Sequence, residues 1–195
     1  MEKLAEFIGI MLGDGYFGDT RLKITLNSVD DFEYMGYVSR LINSLFGEKA
    51  IIKFRKNEKA VDLFIFKRKV LNYLTEKGLL KSPKRNTATI PKEFLKFDLA
   101  VLRGYFDTDG SVVITNNNGT IYPRLEMKVC PSPMQGQFVQ ILRKHKFRFG
   151  VYEVGRGEVR IQMNGKKELK KWSNLVGFSN KKHLRKAQRF LKNKI

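Results

Sequence analysis

Two short segments of this 195-residue chain repeat one another: Phe7-Ile-Gly-Ile-Met-Leu-Gly-Asp14-Gly15 and Leu102-Arg-Gly-Tyr-Phe-Asp-Thr-Asp109-Gly110. Each is an apolar, helix-like run with small residues four apart, Gly9 and Gly13 in the first, Gly104 and Thr108 in the second. Each closes on Asp-Gly. Small residues at that spacing make a smooth strip along one side of a helix and let another backbone approach closely. With two such strips nearly half the chain apart, the simplest arrangement packs the two helices against each other across a pseudo-twofold axis. Their C-terminal ends then lie side by side, bringing Asp14 to Asp109.

That placement costs free energy. A carboxylate at a helix C-terminus faces the negative end of the macrodipole, a penalty of roughly 0.3–1 kcal/mol. Two carboxylates brought together repel, which raises at least one pKa. A hard divalent cation with oxygen ligands, Mg2+ above all, relieves both problems. One Asp-Gly is a common way to end a helix in a turn; two copies behind the same strip mark a site.

The rest of the chain is strongly basic. Thirty-eight Lys and Arg against 19 Asp and Glu give a net charge of +19, which favours a polyanionic partner. No apolar run approaches the roughly 20 residues that span a bilayer, and the N-terminus lacks the pattern of a signal peptide. Cys130 is the single cysteine, so disulfides and cysteine-based zinc sites are excluded and a reducing, intracellular setting is expected, the cytoplasm or nucleoid of a prokaryote or an organelle. His145 and His183 are the only histidines, too few for a histidine-rich nuclease centre. Fifteen Phe within a 42% hydrophobic composition supply a real core.

The order of patterns repeats along with the motif. After Gly15, Arg21–Asn27 alternates strictly, with Leu22, Ile24 and Leu26 on one face and Arg21, Lys23, Thr25 and Asn27 on the other. A helix is expected from Asp30 or Asp31 to Gly47, then strands at Ala50–Arg55 and Val61–Phe66, then a helix from about Lys67 to Lys77. In the second half, Ser111–Thr115 and Tyr122–Val129 form a hairpin around Asn116–Gly119, Ser132–Lys146 a helix, and Phe149–Val154 and Glu158–Met163 a second hairpin. Helices at Lys166–Val176 and Lys181–Lys194 close the chain. The fold class expected is α+β, a pseudo-twofold repeat of αββαββα units with two antiparallel sheets. Residues 1–80 form one half and 98–195 the other, with 81–97 as linker and lead-in to the second motif helix.

Each sheet is expected to be apolar towards its helices and basic and amide-rich on its open face. Arg124, Glu126 and Lys128 share that face in the second half, as do Arg160, Gln162 and Asn164; Lys53 and Arg55 join the open face in the first. These residue types grip phosphates and read base edges, and a two-stranded ribbon fits the major groove.

In these two segments the chain resembles the LAGLIDADG homing endonucleases of the single-chain, two-motif type. The first motif departs from the name-giving pattern at its sixth position, where Leu12 stands in place of the common Asp; the second has Asp107 there. The resemblance implies that Asp14 and Asp109, with the carbonyls of Gly13 and Thr108, bind divalent ions at the DNA minor groove. It also implies Mg2+-dependent hydrolysis of both strands of a long, poorly symmetric site, leaving short 3′ overhangs, with Mn2+ substituting and Ca2+ binding without supporting cleavage. A basic residue beside each centre is a further implication, for which Lys84 and Lys181 or Lys182 are the candidates in the parallel segments Ser82–Arg85 and Ser179–Lys182. Some relatives carry a glutamine near the end of the strand after each motif, where this chain aligns Leu26 and Cys130. The partner expected is double-stranded DNA, bound by a monomer. Two other uses of the scaffold stay open: an RNA maturase that assists splicing of an intron, and a DNA-binding protein without cleavage. With no N-terminal Cys and no C-terminal His-Asn, the expectation is a free-standing or intron-encoded protein rather than an intein.

Overall fold

The computed structural model describes residues 1–192. Its elements run α1 (Glu2–Leu12), β1 (Gly15–Phe17), β2 (Leu22–Asn27), α2 (Phe32–Phe46), β3 (Ile51–Phe54), β4 (Ala60–Ile65) and α3 (Arg68–Glu76). A 3-10 segment (Lys92–Phe97) then leads into α4 (Asp98–Asp109), β5 (Gly110–Asn117), β6 (Thr120–Val129), α5 (Pro133–Lys144), β7 (Gly150–Glu153), β8 (Val159–Asn164), α6 (Lys166–Leu175) and α7 (Lys181–Lys192). The α+β repeat expected from the sequence is present. The last two positions of the expected helix Lys181–Lys194 lie outside the described residues.

The two motif helices, α1 and α4, form the most extensive contact between helices in the molecule. Glycine makes it possible. A Cβ on Gly9 would collide with the Val101 carbonyl oxygen, and one on Gly104 with the Glu6 carbonyl oxygen. Val101 and Glu6 each precede their own motif by one residue, so the two collisions are related by the pseudo-twofold. Alanine at either position would force the backbones apart. From Leu4 to Leu12 every residue of α1 is buried, including Glu6, whose carboxylate accepts from the Tyr37 hydroxyl (2.7 Å), the Ser179 hydroxyl (2.6 Å) and the Arg103 guanidinium (2.7 Å). A buried carboxylate is tolerated when it is fully bonded, and this one ties α1 to α4, α2 and the segment before α7.

Two four-stranded antiparallel sheets flank the helix pair, in the orders β1-β2-β4-β3 and β5-β6-β8-β7. Alternation sets their faces: Leu22, Ile24, Leu26, Val61, Leu63 and Ile65 are buried against helices in one sheet, and Leu125, Met127, Val129, Ile161 and Met163 in the other. The β5–β6 hairpin turns on Asn118-Gly119, both at positive φ (49° and 86°), as a two-residue hairpin turn requires. It is longer than the sequence pattern suggested. Strand β1 was not expected: three residues are too short to show an alternation.

Register fixes which residues of the two halves correspond. Gly15, just after the first motif, pairs with Ile24, and Gly110, just after the second, pairs with Met127. Lys23 therefore corresponds to Glu126, Thr25 to Lys128, Leu26 to Val129 and Asn27 to Cys130. The sequence alignment of Leu26 with Cys130 is off by one residue.

Candidate metal centre and nucleic-acid interface

Asp14 and Asp109 follow from the helix packing. A Cβ built on Gly13 would lie 2.7 Å from a carboxylate oxygen of Asp109 and would overlap the Thr108 hydroxyl, so the first motif's end meets the second motif's carboxylate in close contact. Both aspartates are open to solvent, yet protein crowds them on their other sides, as at the floor of a groove. Desolvation pushes Asp14 up to about 6, against the pull of Lys84, with Asp31 adding to the rise. Desolvation and then the charge of Asp14 push Asp109 up to about 7. The pair is strained electrostatically in the way the motif geometry dictates.

Lys84 answers that strain. Its ammonium donates to the carbonyls of Met11 (3.2 Å), Leu12 (2.9 Å) and Gly13, capping the C-terminus of α1 beside both aspartates. Burial lowers its pKa while Asp109 and Asp14 hold it up. The site already needs a cation, and it is built from oxygen donors. Among the described residues no cluster of three or more His, Cys, Asp or Glu side chains is placed to hold a metal. A hard ion seated here would have the Asp14 and Asp109 carboxylates as side-chain donors and, with the Lys84 ammonium moved off it, the Gly13 carbonyl. The donor set fits Mg2+ or a similar ion.

The second motif helix ends differently. Asn180 donates its side-chain amide to the Asp107 carbonyl (3.1 Å) and to Asp31 (2.8 Å), where α1 has Lys84 on its carbonyls. Lys182 reaches the same Asp31 carboxylate at 2.6 Å, and its charge is felt at Asp14. Lys181, 61% exposed against 27% for Lys182, faces Glu33 instead, at 3.5 Å. The structure thus brings Lys84 to the aspartates directly, brings Lys182 close through Asp31, and leaves Lys181 outside.

Besides Asn180, three further residues of this centre were given no role from sequence. Asp31 collects Asn180 and Lys182; a carboxylate just before α2 read simply as a helix start. Asp107 is buried and accepts from the backbone N–H groups of Ser179 (2.7 Å) and Asn180 (3.0 Å). Burial pushes its carboxyl up to about 8 against those two donors. It anchors the segment that carries Asn180 and Lys182. Tyr105 donates to the Lys128 carbonyl (2.7 Å) and, with Lys84, Arg85, Lys128 and Cys130, lines a cleft of about 410 Å3 beside Asp109.

The sheets' open faces bear the other expected residues. In the second sheet, rows run Arg124–Asn164, Glu126–Gln162 and Lys128–Arg160, and the face is basic and amide-rich. Arg124 pairs with Glu126 at 3.0 Å, and Lys128 with Glu158. The first sheet departs from expectation. Asp62 sits in its middle and engages Arg55 through two bonds (2.8 and 2.9 Å) and Thr25 (2.7 Å). Tyr16 and Phe64 flank Lys23 on the same face with Ile51 beyond Phe64, Lys53 lies on the edge strand, and Arg21 stands over the Tyr16 ring. The Asn27 side chain closes its own turn, accepting from Val29 and Asp30 N–H at 2.9 Å each. No helix of the described residues is long and apolar enough to cross a membrane.

A pseudo-twofold αββαββα protein with two acidic helix ends meeting between two saddles is one class of molecule. Residues 96–129, from the 3-10 segment through α4 and the β5–β6 hairpin, match the LAGLIDADG-like domain. The homing endonuclease I-WcaI, solved bound to its DNA recognition sequence, has the same fold, with TM-score 0.67 and 16% identity over 95% of this chain and 85% of that one. The LAGLIDADG meganuclease I-AabMI bound to uncleaved DNA matches with TM-score 0.65 and 10% identity, over 96% and 88%. I-DmoI in complex with DNA and Mn matches with TM-score 0.58 and 15% identity, over 91% and 97%. The chain has the LAGLIDADG fold with both motifs in one polypeptide. In sequence it is 24% identical over 202 residues to the replication factor C small subunit of Methanocaldococcus jannaschii, and 25% over 191 residues to that of Pyrococcus horikoshii. It covers 98% of itself in each case but spans only 10% and 20% of those relatives' lengths.

Proposed function

We propose that this protein is a site-specific DNA endonuclease that hydrolyses both strands of a long, poorly symmetric duplex site across the minor groove, leaving short 3′ overhangs. One observation carries this reading: two aspartates meet at the pseudo-twofold centre, each at the end of its own motif helix, with a lysine ammonium beside both. Residues 1–80 and 98–195 act as the two halves, joined through 81–97, and one chain supplies both, so a monomer suffices.

Asp14 and Asp109, with the Gly13 and Thr108 carbonyls, hold divalent ions, Mg2+ first, with Mn2+ substituting and Ca2+ binding without cleavage. Such ions supply activation of water and stabilisation of the leaving oxygen in an in-line displacement at phosphorus. The chain's own groups do the rest. Lys84, whose charge lies beside both carboxylates while its ammonium caps the α1 carbonyls, would be free to turn to the scissile phosphate if bound ions compensated the pair instead. Lys182, held by Asp31, offers the corresponding charge near Asp14. Outside the centre, the saddles lie in the major groove, where Lys23, Lys53, Arg124, Lys128 and Arg160 neutralise phosphates or meet base edges.

The test is incubation with Mg2+ and a randomised duplex library, followed by mapping of the ends. Recurrent breaks at one sequence with a fixed stagger support the proposal. Duplex binding without breaks in Mg2+ or Mn2+ assigns the scaffold to DNA binding alone, and preferential binding of structured RNA assigns it to splicing.

A further inference from the structure

The two saddles differ at corresponding positions. Nearest the centre, the first presents Thr25, Asp62 and Lys53 in one row, and the second Lys128, Arg160 and Tyr152. In the next row outward the first presents Tyr16, Lys23, Phe64 and Ile51. Its counterpart on the second saddle is Ser111, Glu126, Gln162 and Gly150. Three of four side chains are apolar or aromatic in one row and none is in the other.

The apolar row lies on the open face, not in the core: Ile51 is 49% exposed and Tyr16 41%. Phe66, 48% exposed, extends it, its ring stacked on Phe64 at 5.7 Å. Cations flank the rings, with the Arg21 guanidinium 5.8 Å from the Tyr16 ring centre and the Lys53 ammonium 5.9 Å from that of Phe64. Such a strip, bordered by charges that suit phosphates, matches one feature of the major groove. The groups that distinguish base pairs on the floor of that groove are hydrogen-bond donors and acceptors, except for the thymine 5-methyl, which projects as an apolar group. The second saddle's Glu126 and Gln162 are instead suited to the cytosine amino group and the adenine edge.

We infer that the first saddle selects thymine-bearing base pairs through methyl contacts with Ile51, Phe64 and Tyr16, while the second reads its arm by hydrogen bonds. The two arms of the target thus differ in kind, not only in sequence. This rests on the DNA-binding reading above. The test replaces thymine by uracil, which pairs identically but lacks the methyl, in one arm of the selected duplex at a time. Binding of the full-length protein is measured in EDTA, so that the duplex stays intact. Uracil in one arm weakens binding about fourfold per contacted methyl, the worth of one buried methylene, and uracil in the other arm weakens it clearly less. Ile51→Ala and Phe64→Ala, both at positions outside the core, bind the thymine and uracil forms of the sensitive arm alike, which assigns that arm to the first saddle. Equal sensitivity of both arms, sensitivity of neither, or variants that keep the methyl preference overturns the inference while specific binding stands. Loss of all sequence-specific duplex binding by the wild-type protein overturns the DNA-binding reading with it.

Discussion

Burial raises the pKa of Asp14 and Asp109, with Asp31 adding to the rise at Asp14 and Asp14 to that at Asp109, which ties stability and the proposed metal binding and catalysis to one pH range. A carboxyl whose pKa is raised on folding from 3.8 to about 6 or 7 favours the folded state while it is protonated. Below about 3.8 that advantage is complete, and it is lost as the pH rises through 6 and 7. In metal-free solution the wild-type melting temperature should therefore fall between pH 4 and pH 8 relative to that of an Asp14→Asn/Asp109→Asn protein. At pH 8 added Mg2+ should raise it again, because the ion binds only the ionised folded pair, and the double variant should not respond. A melting temperature indifferent to Mg2+ at pH 8 would speak against a metal centre here. Lys84→Met removes the cation that compensates the pair, so cleavage should fall by about two orders of magnitude, the worth of a charge placed on the reacting phosphate. Duplex binding should change little. Both aspartates could be read from sequence because the motif repeats. Asp31, Asp107 and Asn180 could not, since each acts through a partner from another part of the chain. Nor could sequence choose between Lys181 and Lys182. They are adjacent and alike, and only the roughly 100° turn between neighbours on α7 separates them.

The helix pair depends on glycine as backbone spacing rather than as flexibility. Gly104→Ala should destabilise the protein by about 3 kcal/mol or more, because the new methyl meets a carbonyl oxygen on α1 and no side chain can move aside. Gly136→Ala is the control: it lies in α5 with nothing within 4 Å of a Cβ, and should stabilise by roughly 0.5–1 kcal/mol. Chemical denaturation of the two variants reads the contrast directly. Beside the helix pair, α7 straps the second half to the first, Lys182 to Asp31 at 2.6 Å and Arg185 to Glu33 at 2.7 Å. Helix periodicity, strand alternation and the hairpin turn were all legible, since each is a local rule that a few consecutive residues obey. The character of the first saddle was not. In Val61-Asp62-Leu63-Phe64, Asp62 reads as one polar residue on an open face, and only register shows it holding Arg55 and Thr25 inside the sheet.

Charge shapes the molecule at long range. On the proposed function, the net charge of +19 would steer a duplex towards the saddles and hold it there against the repulsion between phosphates and the aspartate pair. If six to ten phosphates are neutralised, the logarithm of the binding constant should fall against the logarithm of salt concentration with a slope of about −5 to −9. Removing Lys128 should reduce that slope by about one. The proposed activity is decided by cleavage of a selected duplex in Mg2+, with both strands end-mapped, by the wild-type protein and by Asp14→Asn and Asp109→Asn. Staggered breaks in both strands are expected from the wild type. Each single variant should lose about two to three orders of magnitude in cleavage, with binding retained. Cleavage that survives either substitution, or a wild-type protein that binds the duplex and leaves it intact in both Mg2+ and Mn2+, overturns that activity.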